Sequence, residues 1–217
     1  MKIKKNGKVI NLTESDLKRI VKRVLKEQPD NPFDWASGWK SPIYCDNRKT
    51  LSYPEVRNYI KDCFADQILE SYGKPDMIAG VATGGIALGA LVAQELDVPF
   101  CYVRSQSKAH GLTNKIEGEI SEGMSVVVIE DLISSGKSSL TAVEDLRNAG
   151  CKITGMAAIF SYGFEIANNN FKKANCPLLT LTNYKILIKQ ALTTNYITEN
   201  DIQSLNQWRE APESWKQ

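Results

Sequence analysis

Two adjacent acids, Glu130 and Asp131, follow the aliphatic run Val126–Ile129 and precede Leu132-Ile133-Ser134-Ser135-Gly136-Lys137-Ser138-Ser139. A Ser/Gly turn that opens a helix offers backbone N–H groups, hydroxyls and the positive end of a helix dipole, which together suit a phosphate. The two carboxylates would repel that phosphate and need a different partner. Vicinal sugar hydroxyls suit them, because an ionised carboxylate only accepts hydrogen bonds. A sugar phosphate satisfies both halves of the motif at once. Gly136-Lys137-Ser138 also resembles the end of a nucleotide P-loop, but the glycine that loop requires five positions earlier is Asp131 here, and an acid there would face the phosphates. An ordinary serine-capped turn has no use for two acids at the end of an aliphatic strand.

A second constellation is cationic. Arg104, Lys108 and His110 fall at the start of a polar stretch that runs to Gly123 without clear periodicity, and His110 is the only histidine in the chain. A lone histidine is more often structural than chemical. This one stands between Lys108 and Gly111, where burial in a core is not expected. Cations that close over a departing anion stabilise a transition state most where water is excluded, and a loop of this kind can do that and then open. A third segment, Thr83-Gly84-Gly85, forms a tight turn between a short apolar run and a helical pattern.

Residues 126–139 resemble the signature with which type I phosphoribosyltransferases bind 5-phosphoribosyl 1-pyrophosphate (PRPP). The resemblance implies that Glu130 and Asp131 hold the ribose hydroxyls, that Leu132 and Ile133 complete the binding segment, and that Ser134, Ser135, Gly136, Lys137 and Ser138 cradle the 5-phosphate. Three more stretches are similar to the orotate phosphoribosyltransferases. Phe33 to Tyr44, with its Ser-Gly-x-Lys-Ser-Pro core, resembles their substrate hood and implies orotate contacts from Lys40 and from Ser134. Arg104 to Gly111 resembles their mobile loop, with Lys108 and His110 catalytic alongside Asp131. Gly80 to Gly85 sits where the family has its pyrophosphate turn, at Thr83, Gly84 and Gly85. The resemblance covers residues 30–215. It further implies a Mg2+ ion held mainly by substrate oxygens, with no protein metal cage, and a homodimer whose loop covers the neighbour's site. Four positions depart from the pattern: Ala36, Gly84, Ser105 and Tyr162 stand where many members carry cations. Lys40, Arg48 and Lys137 are the candidates to compensate.

These residues need a scaffold, and the apolar pattern supplies one. Strand-like runs at Met77–Val81, Phe100–Val103, Ser125–Ile129, Ile153–Phe160 and Leu178–Leu181 alternate with helical patterns, such as Val56–Tyr72 ending at Gly73. Strands separated by helices imply an α/β fold with a parallel sheet and right-handed crossovers. Ligands of such sheets bind beyond the carboxyl ends of the strands, so the turns after Val81, Val103 and Ile129 are the places to look. The reading is therefore the type I phosphoribosyltransferase fold, a central five-stranded parallel sheet flanked by helices with a small N-terminal hood.

The expected division is a basic appendage over 1–27 and a catalytic domain over 28–217. Asn6-Gly7 suits a type I′ hairpin within Ile3–Ile10. Leu17, Ile20, Val21, Val24 and Leu25 mark the apolar stripe of a helix, with Lys18, Arg19, Lys22, Arg23 and Lys26 opposite. Residues 1–26 hold nine Lys/Arg against Glu14 and Asp16, whereas the remainder is net acidic. A solvated helix docked on the body explains this best, and nucleic acid is not an expected partner. The 217 residues suffice for a full core. No apolar run approaches a bilayer span, the start has no secretory h-region, and five scattered cysteines suggest reduced thiols. A cytoplasmic location and no membrane contact follow. Two alternatives stay open: a phosphoribosyltransferase for another base, and a non-catalytic PRPP-sensing regulator.

Overall fold

The structure, a computed structural model, describes residues 2–5, 8–11, 25–27, 32–35, 38–105 and 115–216. The chain divides into two compact units, residues 51–183 and residues 1–50 together with 184–217.

The larger unit is built on a sheet of six strands: β7 (Met77–Val81), β8 (Phe100–Val103), β9 (Ile116–Glu117), β10 (Ser125–Ile133), β11 (Lys152–Ser161) and β12 (Leu178–Asn183). Their order is β12-β11-β10-β7-β8-β9. Five are parallel, as the alternating pattern requires, and the sixth, β9, runs antiparallel to β8. That short strand lies in the polar stretch that carries no periodicity in the sequence. Two residues cannot express a period, so nothing announced it. All of β7 and Val126–Ile129 of β10 are buried. Such unbroken apolar runs belong to strands covered on both faces.

Four helices supply the cover: α1 (Pro54–Tyr72), α2 (Gly84–Leu96), α3 (Lys137–Asn148) and α4 (Glu165–Lys173). Ala142, Val143 and Leu146 of α3, with Ala167 and Phe171 of α4, pack on Met77, Ala79, Val81, Val126 and Val128. Helix α2 packs on β7 and β10, and α1 packs on α2. Helix α1 begins at Pro54, two residues before the apolar stripe, because proline is at ease in a first helical turn. It ends where Gly73 takes φ +74° and donates its N–H to Leu69 O.

Beyond Ile129 the sequence predicts a turn, but β10 continues through the two acids to Ile133. Its pairing explains this. The pairing of β10 with β7 stops at Ile129↔Gly80, whereas β11 continues alongside to Ile133↔Ser161. Glu130 to Ile133 thus have a ladder on one side only, and the other side opens between β7 and β10. Strand order reverses at that point, with β8 beyond β7 and β11 beyond β10, which makes it the topological switch of the sheet.

The second unit holds three two-stranded pairs: β1 (Lys2–Lys5) with β2 (Lys8–Asn11), β3 (Leu25–Glu27) with β6 (Ile43–Cys45), and β4 (Phe33–Asp34) with β5 (Lys40–Ser41). The β1–β2 register, Lys5↔Lys8, leaves the two residues between them that the sequence predicts. Leu25 and Lys26 do not extend a helix as their spacing predicts; they pair with Cys45 and Tyr44. That pairing joins residues 25–27 to Ile43–Cys45 within the same unit. The rest of the predicted helix lies outside the described residues. Helices α5 (Tyr184–Thr193) and α6 (Glu199–Glu210) complete the unit. Trp208 of α6 is fully buried, meets Trp35 edge-on at 5.7 Å between centroids, and donates its indole N–H to Lys40 O at 3.0 Å. Trp35, Lys40 and α6 thereby meet in one core.

No helix of the described residues is long and apolar enough to cross a membrane. All five cysteines are free, and burial pushes the Cys101 thiol up to about 12.

Candidate active site

The open edge of β10 gathers three of the predicted segments within the 51–183 unit. The first is the acid pair. Successive strand residues point to opposite faces, and the two acids have different surroundings. Glu130 is only 7% exposed. Its Oε1 accepts the backbone N–H of Asp131 at 2.9 Å, and its Oε2 accepts the hydroxyl of Ser139, in the first turn of α3, at 3.0 Å. Burial, and then the neighbouring Asp131 charge, hold the Glu130 carboxyl well above the usual carboxylate range. Asp131 is half-exposed and lies across the turn that follows β7.

That turn is the second segment. Ala82–Thr83 is a cis peptide, and α2 begins at Gly84. A Cβ on Gly84 would overlap the Asp131 carboxyl, and a Cβ on Gly85 would overlap the carbonyl oxygen of Ile129. Gly80 is as constrained, since its Cβ would lie 2.7 Å from Gly85 O. The turn therefore approaches β10 as closely as backbone can. Thr83 stays exposed beside it.

The third segment is the turn Ser134-Ser135-Gly136 and the start of α3. Gly136 takes φ +74° and sits against the Phe171 ring, which leaves no room for a side chain. Asn170 of α4 donates to Ser135 O at 3.0 Å. The N-cap of α3, Gly136, has no side chain to cap with; the Lys137 N–H reaches Ser135 Oγ at 3.5 Å, and Lys137 and Ser138 are exposed. Leu132 is half-buried, whereas Ile133 is buried in the core. The N–H groups of a first helical turn, backed by the helix dipole, suit an anion.

The remaining candidates fall elsewhere. Arg104 follows β8; its backbone N–H donates to Lys115 O at 2.8 Å, and its guanidinium meets Glu117 at 3.4 Å. Lys108 and His110 lie outside the described residues. Lys40 and Arg48 belong to the other unit, where they pair with Asp34 and Asp46 at 2.9 and 2.8 Å. Tyr162 is buried between Phe160, edge-on at 5.0 Å, and Phe164, stacked at 5.5 Å.

Sequence reasoning assigned no part to Ser139, Asn170 or Phe171. Ser139 could have been found, because it follows Glu130 by nine residues within the same strand–turn–helix motif. Asn170 and Phe171 reach the turn from another helix, and no spacing in the chain shows that.

Comparison with known proteins bears on this arrangement. Residues 51–188 match the phosphoribosyl transferase domain family. An orotate phosphoribosyltransferase of Bacteroides thetaiotaomicron is 56% identical over 206 residues, 94% of this chain and 97% of that protein. Among solved structures, Leishmania donovani UMP synthase superposes with a TM-score of 0.74 at 24% identity, over 90% of this chain and 42% of that one. Aeropyrum pernix orotate phosphoribosyltransferase superposes with a TM-score of 0.68 at 24% identity, over 80% of this chain and 98% of that one. At such identity the two structures speak for the fold alone.

Proposed function

Since this chain belongs to the phosphoribosyl transferase domain family, in its orotate phosphoribosyltransferase branch, we propose that it transfers the 5-phosphoribosyl group of PRPP to orotate. The products are orotidine 5′-monophosphate and pyrophosphate, a step of UMP biosynthesis. The bond from ribose C1 to the pyrophosphate oxygen breaks, a bond from C1 to orotate N1 forms, and N1 gives up its proton.

One observation carries the reading: past Gly80, β10 is open on one side, and a half-exposed acid, a glycine turn and the start of α3 flank that opening. In this assignment the first-turn N–H groups and hydroxyls of Ser134–Ser138 hold the 5-phosphate. Asp131 accepts from a ribose hydroxyl through a charge-assisted hydrogen bond. The Thr83–Gly85 turn offers backbone to the pyrophosphate, since Gly84 and Gly85 carry no side chains. Arg104, Lys108 and His110 supply cations toward the departing oxygens. Charge builds on those oxygens as the C1–O bond breaks, so such contacts act mainly in the transition state.

Among the described residues no three His, Cys, Asp or Glu side chains cluster to hold a metal. A Mg2+ ion that arrives with PRPP needs no such cage, because pyrophosphate oxygens and water can fill its coordination. When bound, it neutralises part of the pyrophosphate charge. A homodimer in which each loop serves the neighbour's site, in the cytoplasm, completes the proposal.

Pyrophosphate release from PRPP tests this directly, with orotate, uracil, adenine and hypoxanthine as acceptors. Release dependent on orotate alone is the expected result. Release with a purine and none with orotate would reassign the base.

A further inference from the structure

The turn proposed to hold the 5-phosphate is itself held from outside the motif. Asn170 of α4 stands 35 residues along the chain from Ser135 and donates its side-chain amide N–H to Ser135 O at 3.0 Å. That is the one hydrogen bond the Asn170 side chain makes among the described residues. Its neighbour Phe171 is buried, and the edge of its ring lies 2.5 Å from where a Cβ on Gly136 would stand. Helix α4 thus contacts both of the residues that lead into α3. The end of α4 is fastened in turn, because Arg147 of α3 donates to Ala174 O and Asn175 O at 2.9 and 3.1 Å.

A planar trans peptide carries its C=O and N–H on opposite sides. Holding Ser135 O toward α4 therefore turns the Gly136 N–H away from α4. Gly136 is buried, yet that N–H has no acceptor among the described residues. Buried backbone donors are nearly always paired, so this one is free for a ligand. Nothing local in the turn keeps it so aimed. Gly136 sits at φ +74°, but glycine accepts φ of either sign, and the Ser135–Gly136 peptide could flip at little cost. A flip would point a carbonyl oxygen, which repels phosphate, where the N–H now points.

From these contacts we infer that Asn170 is a positioning residue, which locks the Ser135–Gly136 peptide with its N–H toward the 5-phosphate while Phe171 backs the turn. The inference rests on the PRPP reading of the site. Asn170 touches no reacting atom. It acts through the backbone of Ser135, and its effect belongs to ligands that carry a 5-phosphate.

Binding of ribose 5-phosphate, PRPP and inorganic pyrophosphate to the full-length protein tests this, with a thermal melt of each variant. Asn170→Ala removes the donor and suits the helix, since alanine has the highest helix propensity. Its Kd for ribose 5-phosphate and for PRPP should rise about three- to tenfold, as for one lost hydrogen bond. Its Kd for pyrophosphate, which has no 5-phosphate, should stay at the wild-type value. Asn170→Asp keeps the size of the side chain but sets an ionised carboxylate, which only accepts, against Ser135 O. It should lose at least as much ribose 5-phosphate affinity as Asn170→Ala. A folded Asn170→Ala or Asn170→Asp protein with wild-type affinity for ribose 5-phosphate would overturn the inference. So would equal losses of ribose 5-phosphate and pyrophosphate affinity, which general loosening of the fold would produce. A wild-type protein that binds neither ribose 5-phosphate nor PRPP would overturn the site reading itself, and this inference with it.

Discussion

Adjacent glycines in the turn after β7 should respond in opposite ways to the same added methyl. In Gly84→Ala the new Cβ collides with the Asp131 carboxyl, the end of a side chain that can rotate away. The backbone need not move, and alanine favours a helix by up to about 1 kcal/mol over glycine, so the fold should hold or gain slightly. The displaced carboxylate, however, loses its place. If it contacts the ribose, the lost charge-assisted bond is worth about 1.5–3 kcal/mol, or roughly 10- to 100-fold in PRPP affinity. In Gly85→Ala the new Cβ collides with Ile129 O, which is backbone of a buried strand. That oxygen cannot rotate away, and overpacking of this kind costs about 1–3 kcal/mol. In a chain of this size the melting temperature should fall by roughly 2–12 °C. Paired measurements of thermal unfolding and PRPP binding on both variants separate the effects. A Gly84→Ala protein with wild-type PRPP affinity, or a Gly85→Ala protein with wild-type stability, would refute the reasoning.

Burial raises the Glu130 carboxyl above its ordinary value near 4.5, so its protonated form favours the fold. The stability it gives is fully present below the unfolded value and is lost as pH rises through the raised one. Glu130→Gln has no such loss, and its melting temperature should therefore gain on that of wild type as pH rises above the ordinary carboxylate range; a constant difference would count against a raised value. Ser134→Ala should alter the orotate KM and turnover more than PRPP affinity, and steady-state kinetics showing no change in either would place Ser134 away from the base. Lys108→Ala should depress turnover about a hundredfold with a smaller effect on PRPP affinity. Mixed with Asp131→Asn protein it should regain activity as subunits exchange, whereas demonstrated exchange without recovery would mean that each subunit closes its own loop.

The sequence by itself determined the α/β class, the parallel core strands and the strand–turn–helix segment from Val126 to Ser139. These are properties of chain-local pattern. Unbroken apolar runs such as Met77–Val81 and Val126–Ile129 suit only strands covered on both faces, and a Ser/Gly turn before a helix suits an anion wherever it occurs. The sequence did not determine where β10 would end. Its extension through Glu130 and Asp131 depends on β11 continuing beside it after β7 has stopped, a matter of which strands become neighbours. Leu25 and Lys26 show the same limit. Their helical spacing is real, but pairing with Tyr44 and Cys45 satisfies their backbone groups instead. The unequal acids are the clearest case. Two neighbouring carboxylates look alike in a sequence, and strand alternation says only that they point opposite ways. Packing decided that one would meet Ser139 in the interior and the other would lie over Gly84 at the opening. A residue's neighbours across the fold, not its neighbours along the chain, set how buried it is.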